Sequence, residues 1–176
     1  MISNVALIRH SQTYWNLQTD RLGYDDGLDN LTPTGIVQSV QLTPEIYRLI
    51  LAYSWRVRVF CSESRRTLQT AMFGWVWYFP IHRDSRLNEF ETDKDLLSTL
   101  TILTRKERQL PPSLLEVQNR MIDFLQSLDP TYCNLAFSHG ASIATVYHAV
   151  DPDQTHIPRN ATIHPFNLRN GILTLP

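Results

Sequence analysis

The chain has only two cysteines, Cys61 and Cys133, in 176 residues. Two thiols do not make a disulfide scaffold, and nothing beside them points to an oxidising, secretory setting. No apolar run approaches the roughly 18 residues that span a bilayer. The opening stretch Met1-Ile2-Ser3-Asn4-Val5 lacks the charged and long apolar regions of a signal peptide. Charge of one sign is also lacking. The net charge is -1, so composition forces no basic patch and argues against nucleic acid as a partner. Repeats, low-complexity tracts and clear linkers are absent. What is left is an ordinary globular mix, 43% hydrophobic and 19% charged. The expectation is one domain over residues 1–176, cytoplasmic, with no membrane partner.

Three short apolar runs stand out: Val5-Ala6-Leu7-Ile8, Val57-Arg58-Val59-Phe60-Cys61 and Asn134-Leu135-Ala136-Phe137. Continuous apolar runs of this length fit strands buried on both faces, as in a parallel sheet. Each ends in a polar cluster: Arg9-His10-Ser11, Ser62-Glu63-Ser64 and Ser138-His139-Gly140. Open α/β sheets bind ligands at the carboxyl ends of their strands, so three such clusters suggest one shared site. Helical spacing covers Thr34 to Leu42, restarting at Pro44. It returns over Thr67 to Trp77, Ser113 to Leu128 and Ala141 to Val150. Ser113 and Glu116 have the spacing of a capping box. Asn170-Gly171 predicts a hairpin pairing Ala161–His164 with Ile172–Leu175. The aromatic stretch Trp75, Trp77, Tyr78 and Phe79 is expected to pack in the core, or else to form a partner surface. Cys61 and Cys133 are expected to be buried and inert. His82, His148, His156 and His164 lack a supporting motif and are expected to be structural.

The residues at the strand ends are those a phosphomonoester needs. A phosphate dianion requires cationic and N–H donors, an in-line nucleophile and a proton for the leaving oxygen. Imidazole can attack if one ring nitrogen is free and the other is held. Arginine suits phosphate because its planar fork makes paired contacts. Arg9-His10, Arg65-Arg66 and His139-Gly140 supply these parts. The histidines keep company with arginines, and no HxxxH or CxxC spacing occurs, so no metal and no cofactor are expected.

Four segments, in order, resemble the histidine phosphatase superfamily, also called phosphoglycerate mutase-like. They are Leu7-Ile8-Arg9-His10-Ser11-Gln12-Thr13-Tyr14-Trp15-Asn16, Leu31-Thr32-Pro33-Thr34-Gly35-Ile36-Val37-Gln38, Ser62-Glu63-Ser64-Arg65-Arg66-Thr67-Leu68-Gln69-Thr70-Ala71 and Phe137-Ser138-His139-Gly140. The resemblance implies a three-layer α/β/α sandwich with a mostly parallel central sheet. It also implies that His10 attacks phosphorus, that Arg9, Arg66 and His139 surround the phosphoryl oxygens, and that Asn16 adds a donor. Glu89 matches the acid that protonates the leaving oxygen, and Glu91 is a second candidate for that role. Gly140 and Ala141 follow the second histidine at the phosphate, Arg21 lies in a loop that could touch substrate, and Arg65 is expected to be solvated. The family's glycine after the first histidine is Ser11 here. It is either a strained substitute or an added phosphate contact. Glu63 and Ser64 replace proline and leucine, so Glu63 must point away from bound phosphate. The implied activity is a metal-independent phosphatase acting on a small phosphate ester. A mutase and a non-catalytic interaction module are the alternatives.

Overall fold

The computed structural model describes residues 3–17, 26–89 and 109–176. Its strands are β1 (Val5–Arg9), β2 (Val57–Cys61), β3 (Ile81–Arg83), β4 (Cys133–Ser138), β5 (Ile163–Arg169) and β6 (Ile172–Thr174), in one sheet of order β3-β2-β4-β1-β5-β6. β3, β2, β4 and β1 run parallel, and β5 and β6 add an antiparallel edge. The three expected strands are all present. β4 is buried along its whole length, as its apolar run implies.

The helices are α1 (Tyr14–Leu17), α2 (Pro33–Gln41), α3 (Thr43–Ala52), α4 (Arg65–Phe73), α5 (Pro112–Gln126) and α6 (Gly140–Val150). They cover both faces of the sheet. Val5, Leu7 and Ala136 pack against Val117, Met121, Phe124 and Leu125 of α5 and Ile143 and Val146 of α6. Ala6, Ile8, Leu135 and Phe137 face the other way, onto Ile46, Leu49 and Ile50 of α3 and Ala71 of α4. Alternate residues of one strand thus build two cores, giving the α/β/α layering. Both cysteines are free and buried, and burial pushes each thiol up to about 12.

Several local expectations are corrected. The helix expected to reach Trp77 stops at Phe73, because Gly74 caps it and Trp75 takes a left-handed backbone at φ 64°. Beyond that point Val76 turns inward and is fully buried. Trp75, Trp77 and Tyr78 are 54%, 53% and 65% exposed, so the aromatic stretch is largely surface, with Phe79 half-buried against the second core. α5 opens at Pro112 with Pro111 as its N-cap and no side-chain cap bond, so the capping box does not form. Proline's fixed φ suits the first helical position and starts the helix one residue early. The hairpin turn forms at Asn170-Gly171, with φ 49° and 75°. However, β6 pairs with Asn167–Arg169, and Ile163 to Phe166 pair with β1 instead. In a two-residue hairpin, partners count outward from Arg169↔Ile172, which places Ile163 and His164 beyond the end of β6. The strand β3 was not anticipated. No described helix is long and apolar enough to cross a membrane.

Candidate active site

β2, β4 and β1 are adjacent and parallel, in registers that pair Cys61 with Phe137 and Arg9 with Ser138. The next residues, Ser62, His139 and His10, therefore emerge together at the carboxyl edge of the sheet. His10 N–H donates to Ser138 O at 3.0 Å and Ser62 N–H donates to Phe137 O at 3.1 Å. Glu89 arrives by another route, after the 3-10 turn Ser85–Leu87 that follows β3. That turn is tied to the neighbouring elements. Ser138 Oγ donates to Leu87 O at 2.8 Å, Ser142 Oγ to Asn88 O at 3.2 Å, and Arg120 to the carbonyls of Ser85 and Asn88.

His10 is 3% exposed, and its Nδ1 lies 2.8 Å from Ser11 O. A carbonyl only accepts, so Nδ1 carries the ring proton and Nε2 keeps its lone pair. Burial, then the cations of Arg66 and Arg9, hold this imidazole well below the ordinary histidine range, partly offset by the Ser11 bond. His10 is therefore neutral, with Nε2 available as a nucleophile. The His139 ring stands 5.3 Å away, edge-on at 61°.

Arg66 Nε and Nη2 donate to His139 Nδ1 at 3.2 and 3.0 Å. A guanidinium only donates, so Nδ1 is the unprotonated nitrogen and Nε2–H donates to Ser62 Oγ at 2.9 Å. Burial and the Arg66 cation keep His139 neutral as well. Its 3.6 Å approach to Glu89 Oε2 is therefore no ion pair. Glu89 Oε2 instead accepts from Arg66 Nη2 at 3.0 Å, while Arg66 Nη1 pairs with Asp29.

Arg9 completes the group. Its Nη1 donates to Pro158 O, and burial lowers its guanidinium's proton affinity while Glu89 opposes that. Gly140, the first residue of α6, makes room for it. A Cβ there would lie 3.0 Å from Arg9 Cζ. α6 opens directly after His139, so the positive end of its dipole falls at Gly140-Ala141 beside these cations.

Ser11 is not strained, since its φ is not positive. Its N–H donates to Thr70 Oγ1 at 3.0 Å and its hydroxyl shares a 2.7 Å bond with Ser39. The hydroxyl is thus engaged by α2. Asn16, on α1, has Oδ1 held by Thr13 N–H and by Asn160 Nδ2, at 3.0 and 2.9 Å. Glu63 is exposed, its carboxylate accepting from Asn88 Nδ2 at 2.8 Å, and Arg65 is exposed as well. Arg21 and Glu91 lie outside the described residues. Asp29, Ser62, Arg120 and Pro158 contribute contacts that the sequence reading did not assign to the site. Of these only Ser62, heading the third matched segment, carried a signal.

The assembled group holds a neutral imidazole lone pair, two guanidinium cations, a second neutral imidazole and a carboxylate. Among the described residues no three His, Cys, Asp or Glu side chains converge as a metal ion would require. A model of the histidine phosphatase superfamily, branch 1, matches residues 5–170. The chain belongs to this superfamily.

Solved structures support the same fold. A phosphoserine phosphatase mutant from Entamoeba histolytica, in complex with phosphoserine, superposes with TM-score 0.70 at 22% identity, covering 96% of this chain and 92% of that one. A mycobacterial glucosyl-3-phosphoglycerate phosphatase complexed with VO3 gives TM-score 0.72 at 18% identity, covering 95% and 92%. Bacillus stearothermophilus YhfR gives 0.70 at 20% identity, covering 97% and 94%. At these identities the likeness is one of fold. No curated protein sequence matches the chain at a significant level.

Proposed function

We propose that this histidine phosphatase superfamily member is a metal-independent phosphatase that hydrolyses small phosphate monoesters through a phosphohistidine on His10. The observation that carries this reading is the locked tautomer of His10, with Nδ1–H on Ser11 O and the Nε2 lone pair left free among Arg9, Arg66 and His139. In the first step Nε2 bonds to phosphorus as the bond to the leaving oxygen breaks, and the Glu89 carboxyl gives that oxygen its proton. In the second, water attacks the phosphohistidine, Glu89 takes the water's proton, and inorganic phosphate leaves. Arg9 and Arg66 neutralise the oxygens throughout, with Asn16 and the first turn of α6 at Gly140 and Ala141 as further donors, while His139, its Nε2–H on Ser62 Oγ, orients Arg66 beside them through Nδ1. Family membership and the phosphatase names of two of the related structures support this reading. The matched span, residues 5–170, supports treating the chain as one catalytic domain.

The test is hydrolysis of p-nitrophenyl phosphate and a panel of small esters, with and without EDTA. Wild type is expected to turn over at an unchanged rate in EDTA, and His10→Ala to lose activity by about 10⁴-fold or more, as removal of a nucleophile does. Activity abolished by chelation would sink the metal-free reading. Phosphate moved between hydroxyls of phosphoglycerate, without release, would select a mutase.

A further inference from the structure

Asp29 sits at the end of the 3-10 turn Asp26–Asp29, outside the four segments that carry the family resemblance, yet it touches the site at three points. Its Oδ2 accepts from the backbone N–H of Arg65 at 2.8 Å and more loosely from that of Arg66 at 3.4 Å. Its Oδ1 pairs with Arg66 Nη1 in a short contact. The first two bonds perform a duty that α4 leaves open. Ser64, the N-cap residue, makes no cap bond, because its hydroxyl is turned to Ser62 and Thr67. Asp29 therefore caps α4 from a distant part of the chain, and its charge suits the positive end of that helix.

The third contact has a different consequence. Arg66 has a long side chain, and ordering such a chain costs rotamer entropy unless something else already holds it. Here the guanidinium is fixed on one edge by Asp29 and on the other by Glu89, and this presents Nε and Nη2 to His139 Nδ1. Glu89 cannot hold Arg66 throughout a reaction in which it gives up and takes a proton. Asp29 has no such role, and its side chain and that of Arg66 are both about four-fifths buried.

We propose that Asp29 is the positioning residue for Arg66: its anchored carboxylate sets the guanidinium across the phosphate pocket and keeps it there while the charge on Glu89 changes. The kinetic part rests on the phosphatase reading above. A cap needs only a short acceptor oxygen, which Asn and Ser also provide. Holding a guanidinium needs the anion.

The experiment is a double-mutant cycle with p-nitrophenyl phosphate on wild type, Asp29→Asn, Arg66→Ala and the double variant, with thermal unfolding followed by circular dichroism. Asp29→Asn is expected to unfold within a few degrees of wild type and to lose about tenfold in kcat/KM, mostly in kcat. In the Arg66→Ala background the same change should cost nothing further. Activity of Asp29→Asn within twofold of wild type would overturn the proposal. So would an equal loss in both backgrounds, which marks a cap and nothing more. Asp29→Ser carries the same comparison if the Asn variant folds poorly. Calorimetric titration with orthovanadate separates the two readings. If wild type turns over no ester, the phosphatase reading fails alone, and Asp29 is judged by vanadate affinity across the same four proteins. A loss confined to the Arg66 background supports positioning, and additive losses contradict it.

Discussion

The chemistry of His10 follows from its neighbour in the chain. Ser11 O accepts a hydrogen bond from Nδ1–H at 2.8 Å, and burial with Arg66 and Arg9 disfavours a second proton on the ring. Two consequences can be measured by NMR on the ring C–H signals. In wild type, His10 should show no titration near the ordinary value of about 6.5, staying neutral well into acid. In Arg66→Gln, which removes a cation that lowers it, the titration should move upward. A wild-type His10 titrating near 6.5 would contradict the electrostatics described here. The sequence raised one question at this scale, whether Ser11 is strained or adds a contact; its φ is not positive, so it is not strained. The hydroxyl answers to Ser39 on α2, a partner 28 positions away that no local pattern could reveal. Asp29 was illegible for the same reason, since its link to Arg66 spans 37 positions. By contrast Arg9, His10, Arg66 and His139 were legible because they sit at the ends of readable strands or in matched segments.

Among the elements, β1 and β4 were legible because both faces of each are covered, which writes a continuous apolar run into the sequence, and β2, half-buried, shows a run broken only by Arg58. Where the reading failed, a local signal met a stronger one. The apolar residues after Thr67 continue past Gly74, but the backbone there leaves the helix and turns Trp75 and Trp77 outward. β3 is only three residues long, too short to mark itself. The approach of α2 to the segment after His10 sets a firm demand at Gly35. A Cβ there would lie 2.0 Å from Gln12 O, with no flexible side chain to give way. Gly35→Ala should therefore cost about 3 kcal/mol of stability in urea unfolding, at the upper end of ordinary overpacking penalties. A cost below about 0.5 kcal/mol, the range of neutral surface changes, would show that α2 and the His10 loop are not packed as described.

At the scale of the whole molecule, burial of histidine makes stability depend on pH. His10 and His139 are held well below their ordinary value, and burial, with His156 and Arg9, pushes His164 down to about 4. Below about 6.5 the unfolded chain takes up protons that the folded one refuses. Stability should thus fall as pH drops from 6.5 to 5, approaching about 1.4 kcal/mol per pH unit for each such histidine. His164→Gln should reduce that slope by about one proton, and a flat profile for wild type over this window would contradict the burial. The two cores hold the strands in register, the register brings His10, Ser62 and His139 to one edge, and the turns tied beneath Glu89 bring the carboxyl to them. The central claim is that this edge makes a covalent phosphohistidine. Its most direct test is rapid alkaline quenching of enzyme mixed with radiolabelled phosphate ester, followed by mapping of the label. The account predicts an acid-labile, alkali-stable phosphoprotein with the label on His10 and none in His10→Ala. Wild-type turnover with no labelled protein at any quench time, or label retained in His10→Ala, would contradict it.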